Sequence, residues 1–319
     1  MADAHPLPPG FRAGHFTDRE RATGCTVVFV PAGCVAAGEV RGGGPGTRES
    51  DLLSPASHAP GVQAILLTGG SAFGLHAADG VASWLAERDI GHPTLVANVP
   101  LVFGAVVFDL PLGDPQARPD AAAGRAACEA ASDAVERGSV GVGTGCTVGK
   151  LLGHESWTKG GFGAASFAVD GATVCALAAV NAAGDVVGED GRVLAGVWRE
   201  GAFRSTTQLL LEGERPPYPM IGEATTLVCI LTDAGVSKLE AWKIARAATS
   251  GVGRAVAPSA TAVDGDLVAC VAGGETDADP LVLEAVAAEA TAAAIRDAVR
   301  QATSLAGCPS ADDRMTASR

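Results

Sequence analysis

An α+β chain with sheets and helices stacked in layers is predicted by three features of the sequence. Strand-like and helix-like patterns come in mixed order. Two β-rich runs flank an Asp170-Gly171 turn, which signals a hairpin and antiparallel pairing. Aromatics make up only 4% of the chain while Ala and Gly are abundant, so elements must pack closely through small side chains. A four-layer αββα sandwich is the arrangement expected.

The elements follow in order. Thr26 to Val30 reads as a buried strand ending at Pro31, and the stretch from Arg41 to Glu49 as a loop. Gln63 to Thr68 is a second strand broken by Gly69-Gly70; Ser71 is placed to cap a helix running to about Arg88. Leu101 to Leu110 is apolar and β-rich. Ala121 to Arg137 reads as an alanine-rich helix ending before Gly138, and Gly138 to Lys150 as a glycine-rich loop. Ala165 to Val169 and Thr173 to Val180 form the hairpin, with Asn181 at the end of its second strand. Val193 to Pro219 lacks periodicity and ends in Pro216-Pro217-Tyr218-Pro219, so it reads as a mobile surface segment. Thr225 to Thr232 is a strand. Ser237-Lys238-Leu239-Glu240 fits a capping box for a helix to about Thr249, before Gly251. Leu267 to Ala272 is a short strand. Asp279-Pro280 opens a final helix to about Ala302. Residues 1–14 and 307–319 are expected to be flexible.

Composition excludes several classes. At 47% hydrophobic and 18% charged residues the chain has enough apolar surface for a sizeable core. A net charge of −13 disfavours nucleic acid or an anionic membrane as partner. No window approaches about 18 apolar residues, and residues 1–6 lack a signal-peptide pattern, so a cytoplasmic location is expected. None of the eight cysteines forms a C-x-x-C pair; they read as small buried hydrophobes in a reducing compartment.

The chemistry centres on Gly222-Glu223-Ala224-Thr225-Thr226-Leu227, where two threonines open an apolar run just after the proline-rich segment. Threonine at a strand start is ordinarily β propensity. If the chain is cut before Thr225, however, that residue carries a free α-amine beside its own hydroxyl. The pair is then a complete base and nucleophile, with the amine titrating near about 7.7–8.0. In the uncut chain the Thr225 hydroxyl would attack the Ala224 carbonyl, giving an ester that hydrolysis opens. Histidine is the usual alternative base, but all six histidines precede Thr225 and no G-x-S-x-G elbow is present. Asp264-Gly265-Asp266 sets two carboxylates two residues apart; they are either turn aspartates or groups that orient the Thr225 hydroxyl and ammonium. Asn181 is a polar strand end or an oxyanion donor, and Lys150 a surface charge or an anion-stabilising cation. The glycine-rich segments 69–74 and 138–149 match neither a P-loop nor a dinucleotide fingerprint, and His154-Glu155 is not part of H-E-x-x-H. No metal or organic cofactor is called for.

Four segments occur together in order: Val40-Arg41-Gly42-Gly43-Gly44-Pro45-Gly46-Thr47-Arg48-Glu49, Leu67-Thr68-Gly69-Gly70-Ser71-Ala72-Phe73-Gly74-Leu75, Gly222 to Leu227, and Val263-Asp264-Gly265-Asp266. In these the chain resembles the DmpA/NylC-like self-processing peptidases, over roughly residues 15–302. That family includes L-aminopeptidase/D-esterases, β-peptidyl aminopeptidases and 6-aminohexanoate oligomer hydrolases. The resemblance implies an N-terminal-nucleophile-hydrolase-like αββα fold, shared with ornithine acetyltransferases. It also implies one catalytic domain, 1–319, that cuts itself into 1–224 and 225–319. Thr225 matches the nucleophile, Asn181 the oxyanion asparagine, Asp264 and Asp266 the orienting acidic pair, and Lys150 a site lysine; Phe73 and Thr226 are candidate pocket residues. The implied substrate is a short peptide or a β- or ω-amino amide, and the implied assembly a homo-tetramer or larger. Two residues depart from the pattern. Ala224 stands where Asn or Gly is common, so slower self-cleavage, or none, is expected. Phe73 stands where some members have a tyrosine whose hydroxyl assists the oxyanion, so that role falls to Asn181, a backbone N–H or water. An acyltransferase and an unprocessed, non-catalytic homologue are the alternative readings.

Overall fold

The computed structural model describes residues 4–218 and 223–317. Its ten main strands are β1 (Arg12–Asp18), β2 (Thr23–Phe29), β3 (Val35–Val40), β4 (Thr47–Arg48), β5 (Ala64–Thr68), β6 (Val102–Val106), β7 (Gly161–Val169), β8 (Ala172–Asn181), β9 (Thr225–Ala234) and β10 (Leu267–Thr276). The helices used below are α1 (Ala77–Ala86), α2 (Ala121–Glu129), α3 (Lys238–Ala255), α4 (Pro280–Arg300) and α5 (Ala311–Ala317).

Two five-stranded sheets form, in the orders β1-β2-β5-β6-β4 and β7-β8-β9-β10-β3. Each holds one parallel pair, β5–β6 and β9–β10. The central strands β5, β6, β8 and β9 read as near-continuous apolar runs because both of their faces are buried. On β9, Leu227, Cys229 and Leu231 point into the core between the sheets, where Ile65, Leu67 and Phe103 of the first sheet meet them. Val228 and Ile230 point the other way, against Ile244 of α3 and Ile295 of α4. The outer face of the first sheet is covered by α1 and α2 through Val27, Leu66, Val81, Leu85 and Ala127. The result is the expected αββα sandwich.

Local signals mostly hold. Asp170 and Gly171 both take positive φ (50° and 82°), as the two-residue hairpin turn requires. The Ser237/Glu240 capping box is formed, and Asp279 caps α4 with Pro280 in the first turn. All eight cysteines are buried and unpaired.

Several expectations need correction. Ser71 does not cap a helix: it has φ 53° and begins a 3-10 segment, and α1 starts only at Ala77. The alanine-rich helix stops at Glu129 because Ser132 exchanges backbone hydrogen bonds with Ala13 of β1 (2.9 Å each way). The helix after Ser237 runs through Gly251 to Ala255. Glycine is needed there for contact rather than for ending the helix: a Cβ on Gly251 would lie 2.2 Å from the Ala288 carbonyl oxygen. The 193–218 segment holds strands Val193–Ala195, Val197–Arg199 and Ala202–Arg204, and a helix Thr206–Leu211 capped by Ser205. Pro219 and Gly222 lie outside the described residues. Both termini carry structure where flexibility was expected. His5–Pro6 pairs with Ala134–Val135, and Phe11 is buried. At the other end α5 is held by Arg314, whose guanidinium donates to the Trp157 carbonyl (2.6 Å). Among the described residues no helix is long and apolar enough to cross a membrane.

Candidate active site

Antiparallel pairing of β8 with β9 sets Asn181 directly opposite Thr225. Parallel pairing of β9 with β10 carries the Asp264–Asp266 turn, which leads into β10, alongside Ala224; the two segments meet in a parallel bridge between Ala224 and Asp264. Three strand ends therefore deliver Asn181, Thr225, Asp264 and Asp266 to one end of the second sheet.

Thr225 is 4% exposed. Its hydroxyl donates to the Ala224 carbonyl oxygen at 2.6 Å, so the nucleophile candidate touches the peptide group it would cleave. The same oxygen accepts the Gly265 backbone N–H at 2.7 Å. A carbonyl holding a preset N–H donor is polarised toward the charge that attack would create. Gly265 also allows the close approach, since a Cβ there would stand 2.9 Å from Thr225 Oγ1 and 2.8 Å from the Gly44 carbonyl oxygen.

Lys150 is buried, and its ammonium donates to the Glu223 carbonyl (2.7 Å) and to Asn181 Oδ1 (3.0 Å), 5.5 Å from the Trp157 ring centre. Burial pulls its pKa down to about 8, against the pull of Cys146, Glu223, Asp264 and Asp109 toward the charged form. Asn181 Oδ1 also accepts the Thr147 N–H (3.0 Å), while Nδ2 donates to the Phe108 carbonyl (3.0 Å). Two donors on one side and an acceptor on the other fix the orientation of the amide. One Nδ2 hydrogen is left over.

The acidic pair acts through backbone. Asp266 Oδ1 accepts Thr226 N–H (2.6 Å) and Oδ2 accepts Ala260 N–H (2.8 Å). Burial, and then the Asp264 charge, push its carboxyl up to about 6. Asp264 Oδ2 accepts both the N–H and the hydroxyl of Thr261 (2.9 and 2.6 Å). Neither carboxylate bonds the Thr225 hydroxyl in the uncut chain. The Arg41–Gly44 loop locks the turn from outside: Arg41 and Gly42 N–H groups donate to the Asp266 carbonyl and Gly44 N–H to that of Asp264.

Thr226 is buried and its hydroxyl is unpartnered. Phe73 is 57% exposed, beneath the Arg118 guanidinium (3.6 Å to the ring centre), and bonds none of the other candidates. Ala224 is buried with φ outside the left-handed region, so alanine meets no backbone penalty there.

Sequence reasoning missed Asp109. It is buried at the end of an apolar run; Oδ1 accepts Gly70 N–H (2.6 Å) and Oδ2 the Thr23 hydroxyl (2.7 Å). Its only signal was a lone carboxylate in apolar surroundings. The Gly265 N–H had no signal at all, because a backbone donor leaves no mark in composition.

The model of peptidase family S58 matches residues 9–311. An uncharacterised aminopeptidase of Mycobacterium leprae is 40% identical over 318 residues, covering 90% of this chain and 85% of that protein. A Burkholderia sp. beta-aminopeptidase superposes with a TM-score of 0.74 at 22% identity, covering 100% of this chain and 95% of the other. The L-aminopeptidase D-Ala-esterase/amidase of Ochrobactrum anthropi, described as a variant of the Ntn hydrolase fold, superposes with a TM-score of 0.70 at 18% identity, covering 98% and 91%. The chain thus has the αββα fold of N-terminal-nucleophile hydrolases, and it belongs to peptidase family S58, hydrolases of peptide and amide bonds.

Proposed function

We propose that this peptidase cuts itself between Ala224 and Thr225 and then works as an aminopeptidase through the freed Thr225. One observation carries the reading: the Thr225 hydroxyl sits 2.6 Å from the Ala224 carbonyl oxygen, which is already held by the Gly265 N–H. In maturation, Oγ1 bonds to the Ala224 carbonyl carbon and the C–N bond breaks. The hydroxyl proton ends on the Thr225 nitrogen, leaving an ester. Water then cleaves the ester, giving segments 1–224 and 225–319. Gly265 N–H stabilises the oxyanion of this step.

In turnover the α-amine of Thr225 takes the hydroxyl proton as Oγ1 attacks the substrate carbonyl, and passes it to the leaving amine. Water hydrolyses the acyl-enzyme. The spare Asn181 Nδ2 hydrogen serves the substrate oxyanion, and the Lys150 ammonium adds positive field. Asp266 holds β9 through Thr226 N–H, and Asp264 fixes the turn bearing Gly265. Thr226 and Phe73 are assigned to the pocket wall. The substrate is an accessible N-terminal residue of a short peptide, or a β- or ω-amino amide. Eight buried, unpaired cysteines support a reducing, cytoplasmic setting. A homo-oligomer is supported by Leu95 and Val96, fully exposed on the loop between His92–Pro93 and Asn98–Val99.

Denaturing mass measurement tests the reading. The expected result is two segments, one with Thr225 at its N-terminus, and hydrolysis of aminoacyl anilides. A single 31.7 kDa species after long incubation, with anilide hydrolysis indifferent to Thr225→Ala, would overturn it.

A further inference from the structure

The buried carboxylate of Asp109 lies one residue from the Phe108 carbonyl that holds Asn181, and it packs against two glycine-rich segments and Thr23. Its oxygens accept Gly70 N–H and the Thr23 hydroxyl. A Cβ on Gly69 would come within 2.1 Å of Asp109 Oδ2, and one on Gly145 within 2.5 Å. The carboxylate is thus fitted between the 69–70 turn and the 138–149 loop. That loop supplies Thr147 N–H to Asn181 Oδ1, while Phe108 takes Asn181 Nδ2. Both ends of the Asn181 amide are therefore anchored to segments that pack on Asp109.

Asp109 also carries charge. Burial pushes its pKa up to about 6, and its bonds to Gly70 and Thr23, with the field of Lys150, pull the other way. At neutral pH it is a carboxylate facing two donors.

We propose that Asp109 is a positioning residue of the Thr225 site: it fixes the Asn181 amide through Phe108 and the glycine-rich loop. This rests on Thr225 being the nucleophile. Removing the group behind a metal ligand typically costs about 10- to 100-fold and a misplacement of about 1 Å costs about 100-fold, so a loss in the same range is expected when the support of this amide is removed. Asp109→Ala removes both bonds and the support with them, whereas Asp109→Asn keeps the Gly70 bond through Oδ1 and lets the Thr23 hydroxyl rotate to accept from Nδ2, so the shape survives.

The test follows self-cleavage of chains made by cell-free synthesis at pH 7.5, read as the cleaved fraction over time. Asp109→Ala is expected to cleave about 10- to 100-fold more slowly than the wild type, and Asp109→Asn to recover most of that loss. In purified mature Asp109→Ala, kcat on an aminoacyl anilide falls while KM stays within about twofold. Thr23→Ala, which removes one partner of the carboxylate, slows cleavage, and it decides the case if Asp109→Ala does not fold. Wild-type rate in Asp109→Ala, a loss in Asp109→Asn as large as in Asp109→Ala, or, where Asp109→Ala does not fold, unimpaired cleavage in Thr23→Ala, would overturn this role alone. A wild-type chain that never cleaves would overturn the nucleophile reading and this role with it.

Discussion

Replacing Gly265 by alanine perturbs the self-cleavage geometry at its tightest point. The added Cβ would stand 2.9 Å from Thr225 Oγ1 and 2.8 Å from the backbone oxygen of Gly44. Ordinary carbon contacts begin at 3.4 Å, so each gap must open by about 0.5 Å. Gly44 is held by its own N–H to the Asp264 carbonyl, which leaves the Thr225 hydroxyl and the Gly265 backbone to move. A misplacement of about 1 Å costs on the order of 100-fold, so half of that costs roughly 10-fold. Weakening the N–H donor on the Ala224 oxygen adds more, since loss of one such donor costs about 100- to 1,000-fold. The expected slowing is therefore about 100-fold, with the fold intact. Intact-mass measurement of the cleaved fraction over time reads the rate, and a thermal melt confirms folding. Cleavage by Gly265→Ala within about threefold of wild type would refute the assignment of this N–H and the close approach of Oγ1.

Two further outcomes follow from packing and charge. Gly251→Ala should destabilise the protein despite alanine's helix advantage of about 1 kcal/mol, because its Cβ would lie 2.2 Å from the Ala288 oxygen across the α3–α4 contact; a raised denaturant midpoint would contradict this. Burial raises Asp109, Asp185 and Asp266 from 3.8 to about 6, so between those values the native state holds more protons than the unfolded chain. Their stabilising contribution grows as pH falls through that window. Buried His15, lowered from 6.5 to about 4, and His5, also lowered, oppose it. Three carboxylates outweigh them, so the thermal midpoint should be higher at pH 5 than at pH 7; a lower one would show that these carboxyls are not raised.

The layered fold was legible because its central strands are buried on both faces and α2, α3 and α4 carry capping side chains. Val228 and Ile230 on one side of β9, and Leu227 and Cys229 on the other, leave no polar face to obscure the run. Errors fell where tertiary contacts override local signals. Ser132 leaves its helix to pair with Ala13, and Gly251 stays inside its helix to admit Ala288. At the candidate site, the fold brings Lys150, Asn181, Thr225, Asp264 and Asp266 together, but their contacts were not legible. Spacing left Asp264 and Asp266 as turn aspartates or as groups that orient Thr225; in the uncut chain they hold the Thr226 N–H and the Thr261 turn. That difference needs three-dimensional register, which no linear pattern contains.

The position of Ala224 shifts the weight of the mechanism. A glycine before the nucleophile would suggest that backbone strain drives the acyl shift. Here residue 224 is paired in a parallel bridge with ordinary φ, and strain is not what distinguishes its peptide bond. What distinguishes it is the company of its carbonyl oxygen: one hydroxyl, one backbone N–H, and a buried ammonium on the preceding carbonyl. A buried lysine and buried aspartates each run against the rule that charge stays at the surface. Their desolvation is tolerable only because each is satisfied by hydrogen bonds that lead to the 224–225 peptide or to its neighbours. Lys150, Asp264 and Asp266, gathered around one peptide bond, support the proposed chemistry at that bond, since apolar residues would fill the same space at lower cost.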